Sequence, residues 1–199
     1  MSQVGPRDRA DVTDAEVSGT MDLGALLVTG LPGIQIQAQA DQSTGNITAL
    51  SLLIEGAAVQ VQPYAAPKSG GMWAEVRKQL ASGIRQSGGS AQEMQGAYGT
   101  ELLAEVINES GQRQPARFVG VEGPRWFIRG VFLGAAAQNS PAQDLLQQAF
   151  NSLIVVRGDT AMPKGAALVL RVPVQAAEGA AAPPPPNPFV RGPEITEIR

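Results

Sequence analysis

One stretch of the chain alternates apolar and polar residues so regularly that it decides the main element of the fold. Residues 34–40 read Ile-Gln-Ile-Gln-Ala-Gln-Ala, the period of two that is typical of a β-strand with one buried face. The turn residues 41–46 follow, then a largely apolar run over 47–55 and a second alternation at 59–62. Connections this short join antiparallel neighbours, so the segment predicts a meander of strands.

Apolar residues recur at helical spacing in two other segments. The first runs over residues 72–84 and should end at Gly88-Gly89. The second follows Ser140, a suitable N-cap, with Pro141 at the first helical position and Gln143 completing a capping-box pattern. Both segments therefore predict helices with one apolar face.

Further strands are predicted after each helix, at residues 101–109, 116–121, 125–133 and 168–172. The order is strands, helix, strands, helix, strand, with hairpin-like connections. This order favours the α+β class, with an antiparallel sheet flanked by helices as an α/β/α sandwich.

The organisation along the chain follows from the same patterns. We expect residues 1–20 to form a flexible N-terminal arm, residues 21–173 a single α+β domain and residues 174–199 an Ala/Pro-rich tail. A length of 199 residues suits one well-buried core. The predicted core consists of Trp73, Val76, Leu80, Phe118, Trp126, Ile128, Leu146, Phe150 and Leu153.

The composition argues against most side-chain catalysis. The chain contains no histidine and no cysteine, which removes the commonest general base, thiol chemistry and the usual zinc ligands. We therefore expect no enzyme activity, no metal and no cofactor. The net charge of −3 gives no reason to expect nucleic acid or an anionic membrane as a partner. Without an apolar signal segment, the expected location is the cytoplasm.

The loop before the first helix is a candidate anion site. Lys68, Ser69, Gly70 and Gly71 combine a cation, flexible glycines and the backbone N–H groups of a helix start. The spacing is not that of a phosphate-binding P-loop. The alternative, and the commoner situation, is that Ser69 or Gly70 simply caps the helix.

Three arginines form a second candidate site. If residues 125–129 pair back on 117–121 through a turn at 122–124, then Arg117, Arg125 and Arg129 share one face of the sheet. The acids that share a parity on the preceding strand, Glu101, Glu105 and Glu109, should lie on the same face. A cross-strand ion network is the favoured interpretation, and an anion-binding patch at Arg125 and Arg129 is the alternative.

The tail has more apolar residues than a passive linker needs. Four prolines at 183–186 should form an extended spacer, and Phe189, Val190, Ile195 and Ile198 follow it. Residues 195–198 alternate like a strand that could add to a sheet edge. The tail is therefore a candidate partner-binding element, with a free linker as the alternative.

Several segments together resemble an uncharacterised actinobacterial family, domain of unknown function 3710, over about residues 4–173. The segments that carry the resemblance are Met21-Asp22-Leu23-Gly24, Tyr64 to Trp73, Arg117 to Val121, Arg125-Trp126 and Val156-Arg157-Gly158-Asp159. The stretch from Pro67 to Trp73 is the most specific. The order of elements is also similar to the PsbP/Mog1-type sandwich, a likeness that implies a fold and no activity.

These observations favour a non-enzymatic binding or assembly module whose partner is an unknown protein. A sensor of a small anionic ligand, using the Lys68 loop or the arginines, is the alternative. An enzyme that works without histidine ranks last.

Overall fold

The periods of two and 3.6 residues give the predicted strand meander and the two predicted helices. The computed structural model describes residues 4–41, 46–108 and 110–171. Its strands are β1 (Arg7–Asp8), β2 (Met21–Asp22), β3 (Leu26–Val28), β4 (Gln35–Ala40), β5 (Ile47–Ile54), β6 (Ala57–Ala65), β7 (Ser90–Gly96), β8 (Gly99–Ile107), β9 (Arg113–Gly123), β10 (Trp126–Gly134) and β11 (Ile154–Val155). Its α-helices are α1 (Asp14–Val17), α2 (Met72–Gln86) and α3 (Pro141–Asn151), with 3-10 turns at Arg9–Asp11 and Ala135–Ala137.

Among the described residues, seven strands form one antiparallel sheet in the order β4-β5-β6-β10-β9-β8-β7. The predicted meander is confirmed as its first three strands. Strand β7 was not predicted. It is an edge strand whose side chains are nearly all exposed, so it carries no apolar alternation that could reveal it.

The two long helices lie on opposite faces of this sheet. Alternate residues of β10 show the division, because Phe127 packs with Trp73 of α2 while Trp126 and Ile128 pack in the cluster that contains Phe150 of α3. Ser140 caps α3 as predicted, its hydroxyl accepting a hydrogen bond from the backbone N–H of Gln143 at 3.1 Å. The predicted α+β class, a sheet flanked by helices, is confirmed.

A second, smaller sheet, which was not predicted, lies on the α3 side. Within the described residues its strands follow the order β1-β11-β3-β2, each only two or three residues long. Strands this short contain less than two periods of alternation, so no pattern distinguishes them from loops. Leu26 and Val28 of β3 and Val155 of β11 pack into the core shared with the large sheet.

The N-terminal segment, expected to be a flexible arm, packs against the protein from Gly5 onward. Strand β1 runs parallel to β11, and Val12 is buried against Leu27 and Ile154. Thr13 and Glu16 form a reciprocal capping box at α1. Burial of a few apolar side chains, combined with strand pairing, holds a segment that its charged composition suggested would be loose.

The strand predicted at residues 168–172 is not regular over its described part. Leu170 bridges to Ile47 of the large sheet and to Gly24 beside the small one. Its N–H donates to Ile47 O at 2.8 Å, and the next N–H, of Arg171, donates to Leu23 O at 2.8 Å. The segment therefore links the two sheets and belongs to neither.

The core prediction is confirmed for most of its residues. Trp73, Phe118, Trp126, Ile128, Leu146, Phe150 and Leu153 are buried. Val76 and Leu80 of α2 are only half-buried, because the flank of the helix on which they lie borders an open groove.

Candidate functional site

The predicted anion site at the start of α2 is occupied by a side chain of the protein itself. Gly71 is the N-cap residue, in the left-handed conformation at φ 83°, and no side chain of the loop caps the helix. Instead the Glu122 carboxylate accepts hydrogen bonds from the Gly71 N–H at 2.7 Å and the Trp73 N–H at 2.5 Å. The expectation that Ser69 or Gly70 caps the helix is wrong, because a carboxylate from the end of β9 occupies that position.

The N–H groups at the start of α2 do bind an anion, but that anion is the protein's own Glu122 carboxylate. A Cβ added at Gly70 would lie 2.9 Å from Glu122 Oε2, so the glycine also leaves room for the carboxylate. Lys68 and Ser69 are exposed on the outer side of the loop. A free anion at the same N–H groups would have to displace Glu122 and overcome its charge.

Arg117 forms the ion pair that the sequence predicted, and the pair is enclosed. Its Nε lies 3.7 Å from Glu101 Oε2, with side-chain exposures of 10% and 1%. Its Nη2 donates to Gln147 Oε1 at 3.1 Å, and the guanidinium lies 4.5 Å from the centre of the Phe132 ring. Glu101 also accepts the Tyr98 N–H. Glu101, enclosed by Arg117 and the Tyr98 N–H, is therefore part of the packing beneath α3.

The three arginines do not share a face, which corrects the sequence prediction. The hairpin turns at Pro124-Arg125, so Trp126 pairs with Gly123 and Phe132 with Arg117. Arg129 pairs with Gly120 and points to the α2 side, opposite to Arg117. Arg125 occupies the turn itself at φ 65° and donates to Asp159 O. A register that differs by an odd number of residues exchanges the two faces of a strand.

Only Arg117 of the three has a glutamate partner among the described residues. Glu105 pairs with Arg113 at 3.5 Å on the surface, and Glu109 lies outside the described residues. Arg125 and Arg129 form no ion pair with any part of the chain that the structure describes. The predicted network is therefore confirmed for Arg117 and wrong for the other two.

Arg129 lies in a polar row on the α2 face of the sheet. Its Nη2 donates to Gln62 Oε1, which also accepts the Tyr64 hydroxyl at 2.9 Å. The guanidinium lies 5.9 Å from the centre of the Tyr64 ring. Burial raises the pKa of Tyr64, with the positive charge of Arg129 opposing the rise, so the phenol is protonated and donates at neutral pH.

A large groove, which no sequence pattern indicated, opens between the two sheets. The inter-sheet groove has a volume of about 1390 Å³ and lies between β2 of the small sheet and β4 of the large one. Its lining includes Met21, Ile36, Ala38, Met162, Leu168 and Val169. The apolar half of the β4 alternation therefore forms one wall of this groove.

Two arginine side chains line the inter-sheet groove. The Arg157 guanidinium donates to the carbonyl oxygens of Arg125 and Thr160, at 3.0 and 3.1 Å. Arg171 lines the groove and is the last described residue, and neither arginine pairs with a described carboxylate. Asp22, also in the lining, accepts the Gly24 N–H at 2.7 Å. The groove thus offers an apolar wall and two guanidinium groups that have no carboxylate partner in the part of the chain that the structure describes.

The predicted tail residues Phe189, Val190, Ile195 and Ile198 lie outside the described residues, so their role stays a prediction. Over 4–41, 46–108 and 110–171, no three acidic side chains come together as a potential metal site. No helix within those ranges is long and apolar enough to cross a membrane.

Comparison with known proteins identifies a family and no activity. The family described as "Protein of unknown function (DUF3710)" matches residues 5–179. No curated protein shows significant similarity to the chain. Because the match covers most of its length, the chain belongs to the DUF3710 family. The actinobacterial source and the PsbP/Mog1 likeness stay predictions.

Proposed function

We propose that this member of the DUF3710 family is a non-enzymatic protein-binding or assembly module, and that it holds an extended segment of a protein partner in the inter-sheet groove. The observation that carries the proposal is the position of this groove, between an edge strand of each sheet. The cytoplasm, expected from the sequence, is the proposed place of the interaction.

The edge strand β4 supports this mode of binding. It is the end of the large sheet among the described strands, and five of its six side chains are exposed. Edge strands are usually protected by charged residues or proline, and Gln35–Ala40 contains neither. Its outer backbone groups can therefore pair with an added strand, while the groove takes alternate side chains.

The chemistry of the groove defines the segment that fits. Ile36, Ala38 and Met162 favour apolar side chains at alternate positions of a bound strand. Arg157 and Arg171 favour an acidic residue or a carboxyl terminus close to the strand. The expected occupant is thus an extended, partly apolar segment that carries negative charge.

A photo-crosslinking experiment on the full chain tests the proposal. A benzophenone amino acid placed at Ala38, inside the groove, should give cross-links to an apolar and acidic segment of one partner protein in the native host. The same group at Lys78, which is exposed on α2, serves as the control. Arg171→Glu should abolish the Ala38 cross-links, because it reverses one of the groove's charges.

Two outcomes would contradict the proposal. Equal cross-linking from Ala38 and Lys78 would mean that the groove selects nothing. Cross-links confined to residues 183–199 of the chain itself, or to a second copy, would make the groove an intramolecular or self-association site.

The tail belongs to the same proposal as a second contact element. Truncation after Gly179 should change the set of co-purifying proteins, since Phe189, Val190, Ile195 and Ile198 would be lost. Unchanged partners, melting temperature and oligomeric state would make the tail a linker.

A further inference from the structure

A second groove follows the flank of α2 on the opposite face of the large sheet. This α2 groove, of about 610 Å³, is lined by Met72, Val76, Leu80 and Ile84 of the helix and by Tyr64 and Arg129 of the sheet. Its volume is within the range of about 300–1,000 Å³ that is usual for small-molecule sites. The helical residues recur at intervals of four, so their side chains form a continuous apolar wall.

Arg129 is the one charged residue in the lining that the structure describes. Its Nε is buried without a hydrogen-bond partner, and its Nη2 donates to the neutral Gln62 side chain. No described carboxylate pairs with it. Taking a guanidinium partly out of water without a counter-charge is unfavourable, so an anion in the groove that pairs with the guanidinium charge would be stabilised there.

Two acidic residues on or beside α2 form ion pairs outside the groove. Glu75 of α2 pairs with Lys164 at 2.5 Å, and Arg77 pairs with Glu93 of β7 at 2.8 Å. Neither acid lines the groove. The electrostatic field inside the groove is therefore dominated by a single positive charge at one position of an otherwise apolar surface.

We propose that the α2 groove binds an amphipathic monocarboxylate, with the carboxylate at Arg129 and the hydrocarbon part along Val76, Leu80 and Ile84. One guanidinium balances one negative charge, which favours a carboxylate over a phosphate dianion. The site is distinct from the Lys68 loop, whose N–H groups bind Glu122, and from the inter-sheet groove, so the inference is independent of the proposed function.

Titration of the full chain with octanoate, and with octanamide as its uncharged counterpart, tests the charge requirement. Octanoate should bind at least tenfold more tightly than octanamide, because only octanoate pairs with Arg129. Arg129→Gln should remove this preference. Arg113→Gln, at an exposed arginine that pairs with Glu105, should leave it unchanged. Equal affinities for the two ligands, or an intact preference in Arg129→Gln, would overturn the proposal.

Methyl NMR of the unmodified chain locates the ligand even if Arg129→Gln fails to fold. Octanoate should shift the resonance of Met72, which lines the groove. It should leave Met94 in place, since that side chain is 41% exposed on β7, outside the groove. No shift at Met72, or equal shifts at both, would mean that octanoate does not bind in the groove.

Discussion

At the scale of single residues, Glu122 shows how a distant side chain completes a helix. It is 51 positions away in sequence from Gly71, yet its carboxylate accepts the N–H groups of the N-cap Gly71 and of Trp73 in the first turn of α2. A negative charge there also interacts favourably with the helix dipole. The loop of Lys68 to Gly71 accordingly needs no side-chain cap of its own.

Replacing Glu122 tests this account. Glu122→Ala should lower the free energy of unfolding by about 0.5–2 kcal/mol, the usual effect of losing an N-cap. Glu55→Ala, at an exposed acid, is the control and should change it by less than about 0.5 kcal/mol. Urea denaturation measures both. If the N–H groups of the loop can also bind a free anion, sulfate should stabilise Glu122→Ala more than the natural protein. An unchanged urea midpoint for Glu122→Ala would contradict the capping role.

Glu16 provides a residue-scale prediction about pH. Hydrogen bonds from the Thr13 N–H, the Arg7 side chain and the Thr13 hydroxyl lower its pKa to about 2, from an ordinary value of 4.5. A lowered pKa in the folded state means that the charged form stabilises the fold. This contribution is complete above about pH 4.5 and is lost as the pH falls through about 2.

An NMR titration of the Glu16 side chain checks the value directly. Arg7→Gln should raise the pKa of Glu16, because it removes one of the hydrogen bonds to the carboxylate. A titration midpoint near 4.5 in the unmodified chain would show that the Thr13 and Arg7 contacts do not persist in solution.

At the scale of elements, α2 lies close to the sheet because β9 has no side chain at one position. A Cβ added at Gly120 would lie 2.3 Å from Cδ2 of Trp73. Gly120 does not have a positive φ, so the requirement for glycine arises from packing and not from the backbone. The Trp73 indole also donates to Thr100 O at 2.6 Å, which limits how far it can move.

Gly120→Ala should therefore displace Trp73 and destabilise the protein by about 1–3 kcal/mol, the usual effect of overpacking. Gly30→Ala is the matched control, because its added Cβ would have no neighbour within 4 Å. Thermal unfolding followed by tryptophan fluorescence measures both variants. Equal melting temperatures would show that the contact between α2 and β9 tolerates a methyl group.

At the scale of the whole molecule, the N-terminal segment ties the small sheet to the large one. Trp126, at the start of β10 and 1% exposed, donates its indole N–H to Asp8 Oδ2 at 2.6 Å. The backbone N–H of Arg7 donates to Leu153 O at 3.0 Å. Residues 7 and 8 thus contact both the large sheet and the segment between α3 and β11.

Asp8→Ala should lower the free energy of unfolding by about 1–3 kcal/mol, because it leaves a buried indole N–H without its acceptor. Asp11→Ala, at an exposed acid in the same segment, should have an effect below about 0.5 kcal/mol. Chemical denaturation compares the two variants. Equal effects would mean that the segment acts through general charge and not through the Trp126 contact.

The sequence alone determined the elements whose patterns are local. The alternation over residues 34–40, the apolar spacing of α2 and the cap at Ser140 depend on neighbours within a few positions, so each could be predicted. These patterns also identified Trp126 and Phe150 as core residues and led to the α+β class. The Lys68 loop was a candidate anion site with helix capping by Ser69 or Gly70 as the favoured alternative, and neither pattern indicated that Glu122 would bind its N–H groups.

Only the tertiary structure decided the features that depend on distant partners. A two-residue turn at Pro124-Arg125 set the register that placed Arg129 on the face opposite Arg117. Strands β1, β2, β3 and β11 form because other segments supply their pairing, and each is too short to show a period. The two grooves are spaces between elements far apart in sequence. Registers, caps and cavities of this kind are set by long-range contacts, and no local pattern encodes them.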